Sequence, residues 1–236
     1  MINNQVKMKK DNYLEVIMTI DNVPLHLLIP DMLEASVEVI KIFFLTIIFS
    51  IPLGFIVALA RRSRFRIISF PTRIYQLIFR GTPLMLQLFF FMYGPYYIFG
   101  FSFNRFTACI LAFVINYAAY FGEIFRGGIA AIPKGQYEAA KVLGYTKLQT
   151  FLHIILPQVI KHVIPATGNE LMTLVKDTSL AQVISVPELF RVATNAGTRY
   201  FSSIPIIIAA PFYLIMNSVV EVTFKMIEKK MDYYKN

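Results

Sequence analysis

An all-α, polytopic membrane fold of five transmembrane helices, N-terminus outside and C-terminus inside, is what this sequence predicts. Three observations carry it. The chain is 56% hydrophobic and only 16% charged, far from the balance of a soluble domain. Uncharged stretches long enough to cross about 30 Å of hydrocarbon recur along it. Its Lys and Arg residues gather in alternate connections, as the positive-inside rule requires.

The first span is 42–60, free of ionisable residues, and the second, 81–104, runs between Arg80 and Arg105. The third, 106–122, ends at Glu123, and the last, 200–220, lies between Arg199 and Glu221. The fourth, 163–187, has the length but carries Glu170, Lys176 and Asp177 near its middle. Charge is costly in lipid, so this segment must turn that face to a bundle interior or an aqueous cavity.

Orientation follows from the basic residues. Arg61, Arg62, Arg64, Arg66, Arg73 and Arg80 occupy the connection between the first and second spans with no acid among them, which places that loop inside. Arg126, Lys134, Lys141, Lys147 and Lys161 follow the third span, and Lys225, Lys229, Lys230 and Lys235 the last. The opposite connections hold only Arg105 in one and Arg191 and Arg199 in the other. The net charge of +9 is therefore topological and points to membrane lipid, not nucleic acid. Lys7, Lys9 and Lys10 favour the cytoplasm and raise an alternative in which 11–33 forms a sixth span. Glu15, Asp21, Asp31, Pro24 and Pro30 oppose it, since a central charge costs roughly 2.5 to 3.5 kcal/mol. The expected organisation is an extracytoplasmic or interfacial segment over 1–34, a membrane domain over 35–226 with a cytoplasmic loop at 126–160, and a cytoplasmic tail over 227–236. No signal-peptide cleavage pattern is read near the start. Cys109, the single cysteine, excludes an internal disulfide framework.

Catalytic signatures are missing. The sequence contains no G-x-x-x-x-G-K-[ST], H-E-x-x-H or G-x-S-x-G pattern, so no nucleotide, zinc or acyl-transfer chemistry is expected of the chain itself. His153 and His162, nine residues apart, fall on opposite helix faces and do not form a metal pair. Work against a gradient would need ATP hydrolysis by a partner.

The loop residues 132–158 have too much order for a linker. Residues 135–143 have helical composition, and Gly144 can stop that helix in a left-handed cap. Thr146 with Gln149 forms a capping box that restarts it, and Pro157 is expected to end it. Ala139 and Ala140 offer a flat surface to another backbone, beside the charges of Glu138 and Lys141.

Glu138-Ala139-Ala140, three residues, Gly144, nine residues, then Ile154-x-Leu156-Pro157 resembles the EAA motif of ABC importer permeases. Arg80-Gly81-Thr82-Pro83 with Gln87, Ala119-Tyr120 with Glu123 and Arg126-Gly127-Gly128, Gly135-Gln136, and Lys176-Asp177-Thr178-Ser179-Leu180 resemble the polar amino acid branch of that superfamily. The likeness covers about 35–226. It departs where such permeases carry a glycine before a threonine-leucine pair, since 31–36 reads DMLEAS. The resemblance implies a type I ABC importer permease fold, multi-pass in a bacterial cytoplasmic membrane and without a cofactor of its own. It implies a second permease copy, identical or not, a dimer of ABC ATPase subunits that bind ATP-Mg, and an extracellular or periplasmic amino-acid-binding protein. Gly135, Gln136, Glu138, Ala139, Ala140, Lys141 and Gly144 would form the coupling helix against the ATPase.

Along the fourth span Glu170 and Asp177 are seven residues apart, about 10 Å along one face, with Thr173 near the same stripe. The two carboxylates could receive a cationic group, or could brace the interior together with Lys176. Gln87 is expected to line the pathway. Arg80, Thr82 and Pro83 at the start of the second span, Glu123 and Arg126 at the end of the third, and Lys176, Thr178 and Ser179 are gate or structural residues. Which amino acid moves stays open at this stage. A passive channel, or a scaffold docking a cytosolic partner through 132–158, is the alternative.

Overall fold

The computed structural model describes residues 19–20 and 22–231. Lys7, Lys9, Lys10, Glu15, Asp21 and Lys235 lie outside the described residues, as do 11–18 of the proposed sixth span. A two-rung antiparallel ladder pairs β1, Thr19–Ile20, with β2, Val23–Pro24. All other regular elements among the described residues are helical.

Helix α1, Leu25–Arg61, is 37 residues long, or about 55 Å at 1.5 Å per residue. The uncharged stretch 42–60 is therefore only its inner part. The expected boundary at 34/35 falls within this helix, and 25–33 form its first turns. The charge scan missed this extension because Asp31, Glu34, Glu38 and Lys41 interrupt the apolar run. Among them Lys41 donates to Glu38 Oε1 at 2.7 Å, one turn back.

The next connection is a helix, not a loop. Helix α2, Arg66–Gly81, is joined to α3, Leu84–Phe99, through a bend of 110°. Arg66, Arg73 and Arg80 recur every seventh residue and share one face, while Ile67, Phe70, Ile74 and Ile78 populate another. That is amphipathic periodicity, which counting charges overlooks. Thr82 is extended (φ −116°, ψ 148°) because a residue before proline is excluded from the helical region. Pro83 then stands at the N-cap of α3 (φ −61°, ψ 136°). The uncharged stretch 81–104 is thus helical over 84–99, after the bend.

Helix α4, Arg105–Ala131, is capped by Asn104, whose side chain accepts from the Thr107 N–H at 2.8 Å. It packs lengthwise on α1 through small residues. A Cβ on Gly54 would lie 2.6 Å from the Phe121 Cβ, and one on Gly122 would lie 2.5 Å from Val57 Cγ1. These two glycines permit backbone approach that no other residue allows. The core is centred on α4, where Phe113, Tyr117 and Phe121 are fully buried and Phe113 stacks parallel on Tyr117.

Helix α5, Lys134–Val142, and the single turn α6, Lys147–Gln149, form the cytoplasmic hairpin. A π turn over Thr150–Ile155 leads into α7, Leu156–Asp177. Pro157 does not end the helix, contrary to expectation. The wider turn, in which the Leu156 N–H reaches Phe151 O, absorbs the proline ring and the missing donor. A 3₁₀ segment, Thr178–Ile184, follows, then α8, Leu189–Tyr200, and α9, Ile204–Met231. Helix α8 occupies what charge counting took for an outer loop. Its N-cap Glu188 is buried and accepts from Phe190 N and Arg191 N at 2.7 Å and from the Tyr213 hydroxyl at 2.9 Å, which ties α8 to α9.

Helices α1, α4 and α9 are long and apolar enough to cross a membrane, and the bent α2–α3 pair adds a fourth crossing if it counts as one. Helix α7 is more polar, carrying Lys161, Glu170, Lys176 and Asp177.

Candidate functional site: the charged face of α7, the α2–α3 hinge and the cytoplasmic hairpin

Breaking a chain by 110° leaves backbone carbonyls at the bend without helical partners, and buried polar groups must be satisfied. Gln87 and Asn116 meet this need. The Gln87 Nε2 donates to Phe79 O at 3.0 Å, Thr82 O at 3.1 Å and Thr82 Oγ1 at 2.9 Å. Asn116 Nδ2, from α4, donates to Phe79 O at 2.8 Å and to Gln87 Oε1 at 2.9 Å. Both side chains are buried. The Gln87 amide is engaged at both ends by the hinge. Thr82 takes part in the same network, and its hydroxyl donates to Ile78 O at 2.8 Å.

On α7, Glu170 and Asp177 are half-buried and Thr173 is exposed, its hydroxyl turned back to Asn169 O at 3.1 Å. Asp177 Oδ2 accepts from the Tyr117 hydroxyl at 2.8 Å. Asp177 and Arg80 both act electrostatically on Glu170. The Arg80 guanidinium lies 5.5 Å from the centroid of the Tyr120 ring, a cation–π arrangement. The hinge arginine, two α4 tyrosines and two α7 carboxylates therefore occupy one region. Lys176 is exposed and forms no ion pair within 4.0 Å with either carboxylate. Lys176 acts electrostatically on Asp177 from beyond that distance. Thr178 is buried, its hydroxyl donating to Val175 O, and Ser179 Oγ donates to Lys176 O, each at 2.7 Å. Both close the end of α7. Glu123 and Arg126, one turn apart on α4, form a two-point ion pair, with Nε to Oε2 at 2.9 Å and a second contact from Nη2 to Oε1.

The hairpin has well-formed ends. Helix α5 terminates at Gly144, φ +80°, with Tyr145 N bonded to Ala140 O at 3.0 Å and Gly144 N to Lys141 O at 3.1 Å. That pair of bonds is a Schellman motif, which requires the left-handed residue that glycine supplies without strain. The capping box is present in both directions, with Gln149 N to Thr146 Oγ1 at 3.3 Å and Thr146 N to Gln149 Oε1 at 2.9 Å. Gly135, Gln136, Glu138, Ala139 and Lys141 are all exposed. Ala140 is not, being 1% exposed and packed inside the hairpin, so only Ala139 of the pair is available to a partner. Gln136 Oε1 accepts from Gln158 at 3.3 Å and tethers α5 to the base of α7. At the tip, Val142 is 88% and Leu143 72% exposed, an apolar surface with nothing among the described residues to cover it.

A profile of the binding-protein-dependent transport system inner membrane component family matches residues 50–233. The chain belongs to that family. This transport component is 36% identical over 204 residues to the arginine transport system permease protein ArtQ of Bacillus subtilis (strain 168), covering 86% of this chain and 93% of the relative. It is 38% identical over 197 residues to the L-cystine transport system permease protein TcyB of the same organism, covering 83% and 84%. Among solved structures, the crystal structure of an amino acid ABC transporter with histidines aligns with a TM-score of 0.79 at 32% identity, over 85% of this chain and 94% of that one. An inward-facing methionine ABC transporter, MetNI, aligns at 0.69 and 18% identity and speaks for the fold alone.

The matched region of this inner membrane component begins at residue 50, so the departure at 31–36 lies outside it, in α1. Sequence inspection missed Asn116, Tyr117 and Glu188, which are single polar residues within or beside apolar runs. Their signal was available: a polar side chain in an otherwise apolar membrane helix must find a partner, and each one does.

Proposed function

We propose that this chain is the membrane-spanning permease subunit of an ATP-driven importer for a polar or charged L-amino acid, with five spans in the cytoplasmic membrane. Helix α7 serves as the fourth in chain order, its charged face turned to the interior. Two partner ATPase subunits bind ATP-Mg and supply the work, a second permease copy completes the pathway, and an external binding protein delivers substrate. The chain carries no catalytic step of its own. Membership of a transport family, and amino acid permeases among the relatives, support this reading.

One observation carries the mechanism: the hairpin is capped at both ends and runs through an unbroken helical path into α7. An ATPase dimer closing on Ala139 and the Val142–Leu143 tip would pull on a stiff lever. That displacement passes along α7 to Glu170 and Asp177, and rocking of the two subunits alternates access, as repeat-based transporters require. Gly135, Gln136, Glu138, Lys141 and Gly144 shape the lever, and Glu123 with Arg126 anchors its α4 side. Glu170, Asp177 and Thr173 form the polar stripe along which an ammonium or guanidinium group would pass, with Arg80 as the cation it displaces. Gln87, Thr82, Pro83 and Asn116 hold the hinge beside it, and Lys176, Thr178 and Ser179 terminate the helix. Uptake into proteoliposomes tests the scheme. Transport must require the ATPase and ATP, whereas equal uptake without the ATPase would establish a passive channel instead.

A further inference from the structure

Arg61 and Arg73 are not used by the transport scheme. Arg61, Arg73, Gln76 and Arg80 border an open-sided cavity of about 490 Å³ together with the Glu123–Arg126 pair. Glu123 is the one carboxylate lining it, and both of its oxygens are engaged by Arg126. Among the described residues, neither Arg61 nor Arg73 has an acidic partner within 4.0 Å. Several guanidinium groups facing one cavity repel each other unless an anion enters, and planar forked donors suit a phosphate.

The adjoining side of the same helix is apolar and exposed. Ile67 is 85% and Phe70 63% exposed, and Leu77, at the cavity rim, is 73% exposed. Helix α2 also turns 110° away from α3, so it can lie along the bilayer plane while α3 crosses. An amphipathic helix with basic residues on one face and large apolar residues on the other is the form taken by interfacial membrane helices. We infer that the cavity between α2 and the inner ends of α1 and α4 holds the headgroup of an anionic phospholipid, its acyl chains lying against Phe70 and Leu77. Charge alone would suit a free phosphate. The adjoining apolar face selects a lipid, because only a lipid brings chains to cover it.

Native mass spectrometry of the purified full chain, titrated with dioleoylphosphatidylglycerol or dioleoylphosphatidylcholine, tests the inference. The anionic lipid should be retained preferentially. Each guanidinium near such a surface contributes about fivefold, so Arg61→Gln with Arg73→Gln should lower retention roughly 20-fold, while Lys147→Gln on the hairpin leaves it unchanged. If the double variant fails to fold, Arg73→Gln alone must lower retention about fivefold. Equal retention of the two lipids, unchanged retention in the variants, or full competition by soluble glycerol phosphate would overturn the lipid site. So would disulfide trapping of Phe70→Cys to a second copy of the chain in nanodiscs, which would give this face to a protein neighbour.

Discussion

Substituting Leu143 with aspartate should uncouple the ATPase without harming the permease fold. Leu143 is 72% exposed at the hairpin tip, next to Val142 at 88%, and its backbone N–H to Ala139 O bond at 3.0 Å is untouched by the side chain. Covering a leucine fully stabilises a complex by about 1.5–3 kcal/mol. Part of that is offset by ordering at the interface, and a buried unpaired carboxylate adds a cost in the variant. A net loss of about 3 kcal/mol corresponds to roughly a 100-fold weaker Kd. The assay is titration of purified ATPase dimer onto the permease in nanodiscs, with thermal unfolding of the permease followed in parallel. Unaltered unfolding with affinity lowered by about two orders of magnitude is expected. Unchanged affinity would refute the placement of the apolar tip at the ATPase contact, and a collapse of the permease itself would refute the claim that Leu143 is external to the fold.

Other outcomes follow from the same geometry. Asn116→Ala removes the donor to Phe79 O and to Gln87 Oε1, leaving buried acceptors short of partners at about 1–3 kcal/mol; a lower Tm in detergent checks it. Gly144→Ala forces a φ of +80° on a residue with a Cβ, at about 1–2 kcal/mol. It should lower ATP-coupled uptake more than it lowers overall stability, measured by transport and unfolding on one preparation. Glu170→Gln should weaken uptake of cationic relative to neutral amino acids in a competition assay, and unaltered selectivity would remove Glu170 from the pathway.

Legibility in the sequence tracked how local each feature is. The Schellman end at Gly144 and the capping box of Thr146 and Gln149 depend on a few neighbouring residues, so motif inspection placed them correctly. Features set by tertiary contacts were hidden. The bend at Thr82–Pro83 brings carbonyls to Gln87 that only the folded chain reveals. Ala140 and Ala139 are equivalent as letters, and the packing of α5 on the π turn alone distinguishes them. Pro157 signalled a helix end, yet a widened turn upstream removes its clash. The helix α2 was legible in principle through the sevenfold spacing of Arg66, Arg73 and Arg80, and it was lost because charge was counted without its period. The charged face of α7 was found for the opposite reason, since carboxylates within a long apolar segment stand out by their cost.

The most direct test of the lever places a cysteine at Ala139, the exposed small residue of the hairpin, and cross-links it to the ATPase while uptake proceeds in proteoliposomes containing the binding protein. The account predicts an adduct whose yield changes with nucleotide state and whose formation stops transport. Full transport with no ATPase ever captured at this position would contradict it.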